Sequence, residues 1–259
     1  MLNNKKFSPD EFLSDLYLRF NECYHSDENS ITTEFFLDNP FADFYKDQYL
    51  PILPEDKNAR ILDIGIGDGW FCSMLKKNDY KNIYMADFAC QEKFGSITKD
   101  ITEIKGIYDI KTNLLDFTYD HGQEYSNRYD FIHLAHVIEH IPKYQLTHLL
   151  DNINCLLKEN GTLLIRTPNL LGPLPTYYLY CTPGHEYGSI EDNLSALLDI
   201  SNFKEIRYLK PIISNKSIKA MIGNFLRSIY IAKSRFKFRL FEGRSINNFH
   251  PELVVAAKK

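Results

Sequence analysis

The chain has 259 residues, 44% of them hydrophobic and 25% charged, and a formal net charge of −4. That length holds one large α/β domain with a substantial core, or one domain with appendages, and the ordinary composition excludes a disordered chain. The negative balance argues against a nucleic-acid binder. The five cysteines (Cys23, Cys72, Cys90, Cys155 and Cys181) are scattered and form no C-x-x-C pair, which argues against a zinc ribbon or a disulfide framework and fits a reducing cytoplasm. The first residues lack an apolar stretch of signal-peptide length, no apolar run approaches a membrane span, and no internal repeat is evident.

Residues 1–58 read as a helical cap. Ser8 and Pro9 open one helix, with Phe12, Leu13, Leu16 and Phe20 at helical spacing. A second, aromatic-rich stretch at 35–53 carries Phe36, Phe41, Phe44, Tyr45 and Tyr49. It suits either packing on the core or a lid over a substrate pocket.

From residue 59 strands and helices alternate, which implies a parallel sheet. Strand one is expected at 60–64, and it runs into Gly65, Gly67 and Gly69 before a helix over 70–78. Glycines at that spacing allow a tight turn and let a ligand lie against backbone. The first N–H groups of the helix then face the crevice at the strand's carboxyl end. Asp63, before the first glycine, can hold the loop or meet a cationic ligand group. With no lysine beside the glycines, the loop suits a nucleoside without a pyrophosphate.

Strand two is expected at 82–86 and ends at Asp87, about twenty residues beyond the loop, where a carboxylate can accept from both ribose hydroxyls of a nucleoside. Phe88 can pack on an adenine face. A helix is expected over 91–105 and strand three over 107–114, followed by strand four at 129–134.

His136, Glu139 and His140 then spell H-x-x-E-H, the zinc-binding pattern of a hydrolase, but Pro142 limits the helix that pattern needs. No metal is therefore expected. His133 reads as a core residue. A helix at 143–157, a turn at Asn160-Gly161 and strand five at 161–166 follow, then strand six at 203–209 and strand seven at 253–257.

The run Ile61 to Trp70 resembles motif I of the class I S-adenosylmethionine (SAM)-dependent methyltransferases. The blocks from Tyr129 to His140 and from Leu156 to Asn169 resemble the strand-four and strand-five signatures of its ubiquinone-biosynthesis-like branch, with an E-H pair and a terminal P-N. The resemblance covers residues 59–170. It implies a Rossmann-like, seven-stranded, doubly wound sheet forming a SAM-binding domain over 59–259; the helical N-terminal cap over 1–58 and an insertion near 211–249, longer than a hairpin between strands six and seven needs, lie outside the resemblance. SAM, with S-adenosylhomocysteine as product, would be held by Asp63, Gly65, Gly67, Gly69, Asp87, Phe88, Asn113, Leu114 and Leu134. Asn113 stands where the family often has an acid, and Asp116 is the rival for that place.

Methyl transfer to a hydroxyl benefits from a base near neutral pH, and His136, His140 and His185 are the candidates. His185 sits in an aromatic, proline-rich loop (Tyr177, Tyr178, Tyr180, Pro183, Glu186) suited to sugar rings and their hydroxyls. Ser189 is expected to cap the next helix.

Within the insertion, seven lysines and arginines and no acid lie between Ser214 and Arg239. Ile218, Met221, Ile222, Phe225, Leu226 and Ile229 recur at helical spacing, as in a helix packed on the domain, one bound to a phosphorylated acceptor, or one on an anionic membrane.

The expected function is methyl transfer from SAM to a hydroxyl of a small molecule, a sugar or nucleotide-linked sugar of surface-polysaccharide synthesis, in the cytoplasm or at the membrane's inner face. The alternatives are an isoprenoid quinone or lipid-like acceptor, a non-catalytic SAM-binding protein, and a zinc hydrolase using His136, Glu139 and His140.

Overall fold

The structure, a computed structural model, describes residues 33–87, 94–95, 99, 101–109, 126–182, 184–210 and 217–259. The expected helix over residues 8–20 lies outside them, as do Phe88, Asn113, Leu114 and Asp116. Two short helices, α1 (Thr33–Leu37) and α2 (Pro40–Tyr49), precede β1 (Arg60–Ile64), α3 (Trp70–Lys77), β2 (Asn82–Asp87), β3 (Ile104–Asp109) and β4 (Tyr129–Ala135). Then come α4 (Leu146–Leu156), β5 (Leu157–Pro168), α5 (Pro175–Tyr180), α6 (Glu191–Ile200), β6 (Lys204–Tyr208), α7 (Ile218–Glu242) and β7 (Glu252–Lys258).

The sheet has seven strands in the order β3-β2-β1-β4-β5-β7-β6. β7 runs antiparallel to both β5 and β6, so the sheet is mixed rather than wholly parallel. Alternation along each strand sends successive side chains to opposite faces. Leu62, Ile64, Ile132, Leu134 and Ile165 pack toward α4 and α6 on one face. Ile61, Met85, Phe131 and Leu164 pack on the other, toward Phe36, Tyr49 and Phe71 of α1, α2 and α3. The N-terminal helices therefore complete a core layer. Asn39 caps α2 by accepting from the N–H of Phe41 (3.0 Å). Its Nδ2 donates to the Asp68 carbonyl (3.1 Å), tying the cap to the glycine loop.

Three local expectations are corrected. β3 begins at Ile104, within the expected helix, because Ile104 and Ile107 pack against the core while pairing with β2. β5 starts directly at the end of α4 and runs through Asn160, which takes a left-handed φ of 62° where a reversal was expected. Ser189 does not cap α6. Its backbone bridges to Asn169, and the Asn193 side chain accepts from Ile190 N–H (2.8 Å) in its place. The insertion is mostly one 25-residue helix, α7, whose apolar stripe is exposed rather than packed.

Candidate active site

β1 and β2 end side by side, and the glycine loop turns back between them. Gly65 N–H donates to the Ala86 carbonyl (2.8 Å) and Gly67 N–H to the Asp87 carboxylate (3.2 Å). All three loop glycines have left-handed φ, at 76°, 55° and 73°. Their neighbours differ. A Cβ on Gly65 would stand 2.3 Å from Val137 Cγ2, and one on Gly69 would stand 2.5 Å from the Phe36 ring. A Cβ on Gly67 would meet nothing within 4 Å. Gly65 and Gly69 thus serve close packing, while Gly67 keeps backbone open to the crevice. A carboxylate accepts about four hydrogen bonds, so Asp87 can take Gly67 N–H and two ribose hydroxyls together. The loop and Asp87 fit a nucleoside.

Asp63 and Leu134 hold other positions than a ligand contact. The Asp63 side chain is buried, accepting from His133 Nδ1 (2.8 Å) and Cys72 Sγ (3.5 Å). Of the two roles open to it, it holds the loop's root, because its strand position points it under α3. His133 is the core residue expected, its ring packed against Phe71, 4.0 Å between centroids. Leu134 points to the opposite face and is wholly buried among aliphatic side chains.

The strand ends of β4, β5 and β7 carry a charged chain. His136 has a φ of 56°, an uncommon conformation for a residue with a Cβ, and its N–H donates to the Arg166 carbonyl (2.8 Å). That turn aims the imidazole between two carboxylates, Nδ1 at Glu139 (3.0 Å) and Nε2 at Glu252 (3.0 Å). Arg166 donates to the other Glu252 oxygen and to the Tyr45 hydroxyl (2.6 Å), with its guanidinium 3.9 Å from the Tyr45 ring centroid. Thr167 Oγ1 donates to Glu139 (3.2 Å).

Burial opposes charge on His136, but the hydrogen bonds to Glu139 and Glu252 outweigh it and push its pKa up to about 9. Burial likewise opposes ionisation of Glu252, yet His136 and Arg166 hold it down at about 2. At neutral pH the chain is two cations alternating with two anions. His136 with both ring nitrogens donating has no lone pair for a substrate proton.

His140 and His185 are differently set. His140 Nδ1 faces the Gly184 carbonyl (3.0 Å) and His185 Nδ1 faces that of Tyr178 (2.7 Å). A ring nitrogen on a carbonyl carries the proton, which makes Nε2 the acceptor in the neutral ring. Burial keeps the His140 pKa below its usual value, despite the nearby Glu139. The rings stand 4.8 Å apart.

The H-x-x-E-H segment is a single 3-10 turn at Ile138–His140, not a helix, so His136 and His140 part company. The zinc set of the hydrolase reading is not assembled. Ligand atoms of Glu139, His140 and His185 do lie within 4.8 Å of one another, but the Glu139 carboxylate already serves His136 and Thr167.

Beside the charged chain lies a cavity of about 480 Å³. Tyr45, Tyr178, Tyr230 and Phe249 supply aromatic walls, and Arg166 and Glu252 reach in from the network. Arg227 adds a second cation. Arg166 and Glu252 were not singled out in the sequence. The signal for Arg166 was a lone cation in the apolar strand Leu163-Leu164-Ile165-Arg166, and for Glu252 an acid opening a strand of Leu, Val and Ala.

No curated protein sequence matches the chain at a significant level. Among solved structures, a SAM-dependent methyltransferase from Archaeoglobus fulgidus shares 19% identity over 94% of this chain and 99% of its own, with a TM-score of 0.58. The Burkholderia thailandensis 1,6-didemethyltoxoflavin-N1-methyltransferase, solved with S-adenosylhomocysteine and its substrate, shares 16% over 100% and 93%, TM-score 0.58. A Haemonchus contortus phosphoethanolamine N-methyltransferase 2, solved with SAM, shares 16% over 98% of this chain and 60% of its own, TM-score 0.57. At these identities the likeness is one of fold. A family model described as a methyltransferase domain matches residues 39–211, from the cap of α2 past the end of β6. With its glycine loop and Asp87 in that fold, the chain belongs to the methyltransferase-domain family.

Proposed function

We propose that this methyltransferase uses SAM, held by the glycine loop and Asp87, to methylate a hydroxyl of a small sugar-like acceptor in the crevice beside Arg166 and Glu252. When bound, SAM supplies the electrophilic methyl. The observation that carries the acceptor reading is the lining of that crevice. Aromatic faces pack on the C–H faces of sugar rings, while a carboxylate and a guanidinium side by side accept from and donate to neighbouring hydroxyls. Arg166 and Arg227 together suit the phosphates of a nucleotide-linked sugar. The E-H and P-N motifs support the ubiquinone-biosynthesis-like branch.

Each residue has a distinct task. His136 is a positioning cation that fixes Glu252, and through it Arg166, at the acceptor. His140 and His185, with Nε2 as acceptor, are the candidates for taking the hydroxyl proton. Correct placement of nucleophile and methyl carbon is the larger part of such a displacement.

The test is mass spectrometry of products after the full chain and SAM meet nucleotide-linked sugars, free sugars, amines and quinone precursors. A methylated sugar hydroxyl is expected. Methyl gained only on an amine would replace this reading with N-methylation, and methyl only on a quinone would replace it with a lipid-like acceptor. His140→Gln and His185→Gln then separate the two bases, since loss of the true base removes the acid limb of the rate–pH profile.

A further inference from the structure

α7 is roughly 37 Å long at 1.5 Å per residue. At 100° per residue, Ile218, Ile222, Phe225, Ile229, Phe236 and Leu240 fall within about 60° of one another on its circumference. All six are exposed, from 52% for Ile229 to 78% for Ile218. The half-buried positions, Asn224, Ile231, Ser234 and Phe238, lie on the opposite side. α7 therefore rests on the domain by its mixed face, where Tyr230 meets Phe249 (6.0 Å between ring centroids) and Arg235 donates to the Asn247 carbonyl (2.7 Å). An ordinary surface helix turns its apolar stripe inward. This one turns it outward.

The cations decide what covers it. Lys219, Lys233 and Lys237 border the stripe on one side and Arg239 on the other. No acid occurs between residues 214 and 239, although the whole chain carries −4. Pairing two copies along the stripe would set lysines against lysines with no carboxylate to offset them. A nucleic acid would leave the isoleucines and phenylalanines in water. An anionic bilayer surface takes both, because the apolar side chains enter the acyl boundary while lysines reach phosphates at headgroup level. No helix among the described residues is long and apolar enough to cross a membrane.

We infer that α7 docks this protein, lying flat, on an anionic membrane surface. The inner side of α7 lines the acceptor crevice through Arg227, Tyr230 and Ile231, so docking brings that crevice to the bilayer. That last consequence rests on the acceptor assignment above, whereas the docking does not.

The test is co-sedimentation of the full chain with phosphatidylcholine vesicles, with and without phosphatidylglycerol, at low and high salt. Binding only to the anionic vesicles, weakened by salt, is expected. A cation near such a surface contributes about fivefold in affinity, so Lys233→Ala/Lys237→Ala should bind on the order of 25-fold more weakly. Phe225→Ser/Phe236→Ser should bind more weakly too, even at low salt. These side chains face solvent and lie outside both crevices, so unchanged SAM affinity serves as the check on folding. Wild type that stays in the supernatant at low salt overturns the inference, as does vesicle binding that either double variant leaves intact. A dimer in sedimentation velocity that Phe225→Ser/Phe236→Ser dissolves would assign the stripe to a second copy instead. Failure of the acceptor reading leaves every one of these results unchanged.

Discussion

The two halves of the site are built in different ways. At the β1–β2 end, the groups proposed to hold SAM come from one short stretch and one carboxylate, Gly65 to Gly69 and Asp87, joined by hydrogen bonds from the Gly65 and Gly67 N–H groups. At the β4–β5–β7 end, Tyr45, His136, Arg166 and Glu252 come from four separate parts of the chain and are held by charge. A local turn is set by its glycines and a few nearby hydrogen bonds. The charge network depends on its two buried members, Glu139 and Arg166, because removing a partner of either leaves a buried charge unpaired. The first half should therefore lose ligand affinity when altered, and the second should lose stability and turnover.

The largest effect expected is at Arg166. Arg166→Met removes a buried cation from Glu252 and should cost about 3–5 kcal/mol, read from the denaturation midpoint, together with most turnover. A loss under about 1 kcal/mol would mean that the network is not held by charge. Next comes Asp87→Ala, which removes a charged acceptor and should weaken SAM binding by about 1.5–3 kcal/mol, roughly 10- to 150-fold. Its folding should change less than that of the Arg166 variant.

Two glycine substitutions sharpen the comparison within the first half. Both suffer left-handed strain of about 1–2 kcal/mol as alanine. Gly65→Ala also drives a Cβ into Val137 and should lose stability beyond that strain, whereas Gly67→Ala meets no side chain and should lose mainly SAM affinity. Equal thermal shifts in the two would contradict the assignment of Gly67 to the ligand.

The second half can also be tested through the pH dependence of stability. His136 is raised to about 9, so its contribution is full below about pH 6.5 and fades as pH rises through 9. Glu252 is lowered to about 2, so its contribution is full above about pH 4.5 and fades as pH falls toward 2. The contribution of this pair to the denaturation free energy should be greatest between about pH 4.5 and 6.5. His136→Gln should flatten the alkaline limb, and an unchanged limb would show that His136 is not the cation described.

The same division explains what the sequence disclosed. The glycine loop, Asp87 and the strands around them were legible because their determinants are local, with period-2 apolar runs ending in turn residues. The acceptor side was not. Glu252 stands opposite Pro168 only because β7 returns antiparallel in that register, bringing its carboxylate to Arg166 from 86 residues away. His136 stands out in the sequence, but its left-handed turn between two carboxylates does not, and that turn is what supports the proposed role as a positioning cation. The spacing of apolar residues in α7 was visible, yet nothing in a sequence says which face of a helix meets its own domain.

The most direct test is titration calorimetry with SAM on Asp87→Ala and Glu252→Gln, each paired with turnover on the acceptor identified by mass spectrometry. The expected result is a split. Asp87→Ala binds SAM at least about tenfold more weakly, while Glu252→Gln binds within about twofold of wild type and loses turnover. If Asp87→Ala binds SAM as wild type does, or Glu252→Gln loses as much affinity as Asp87→Ala, the two halves are not the separate sites described.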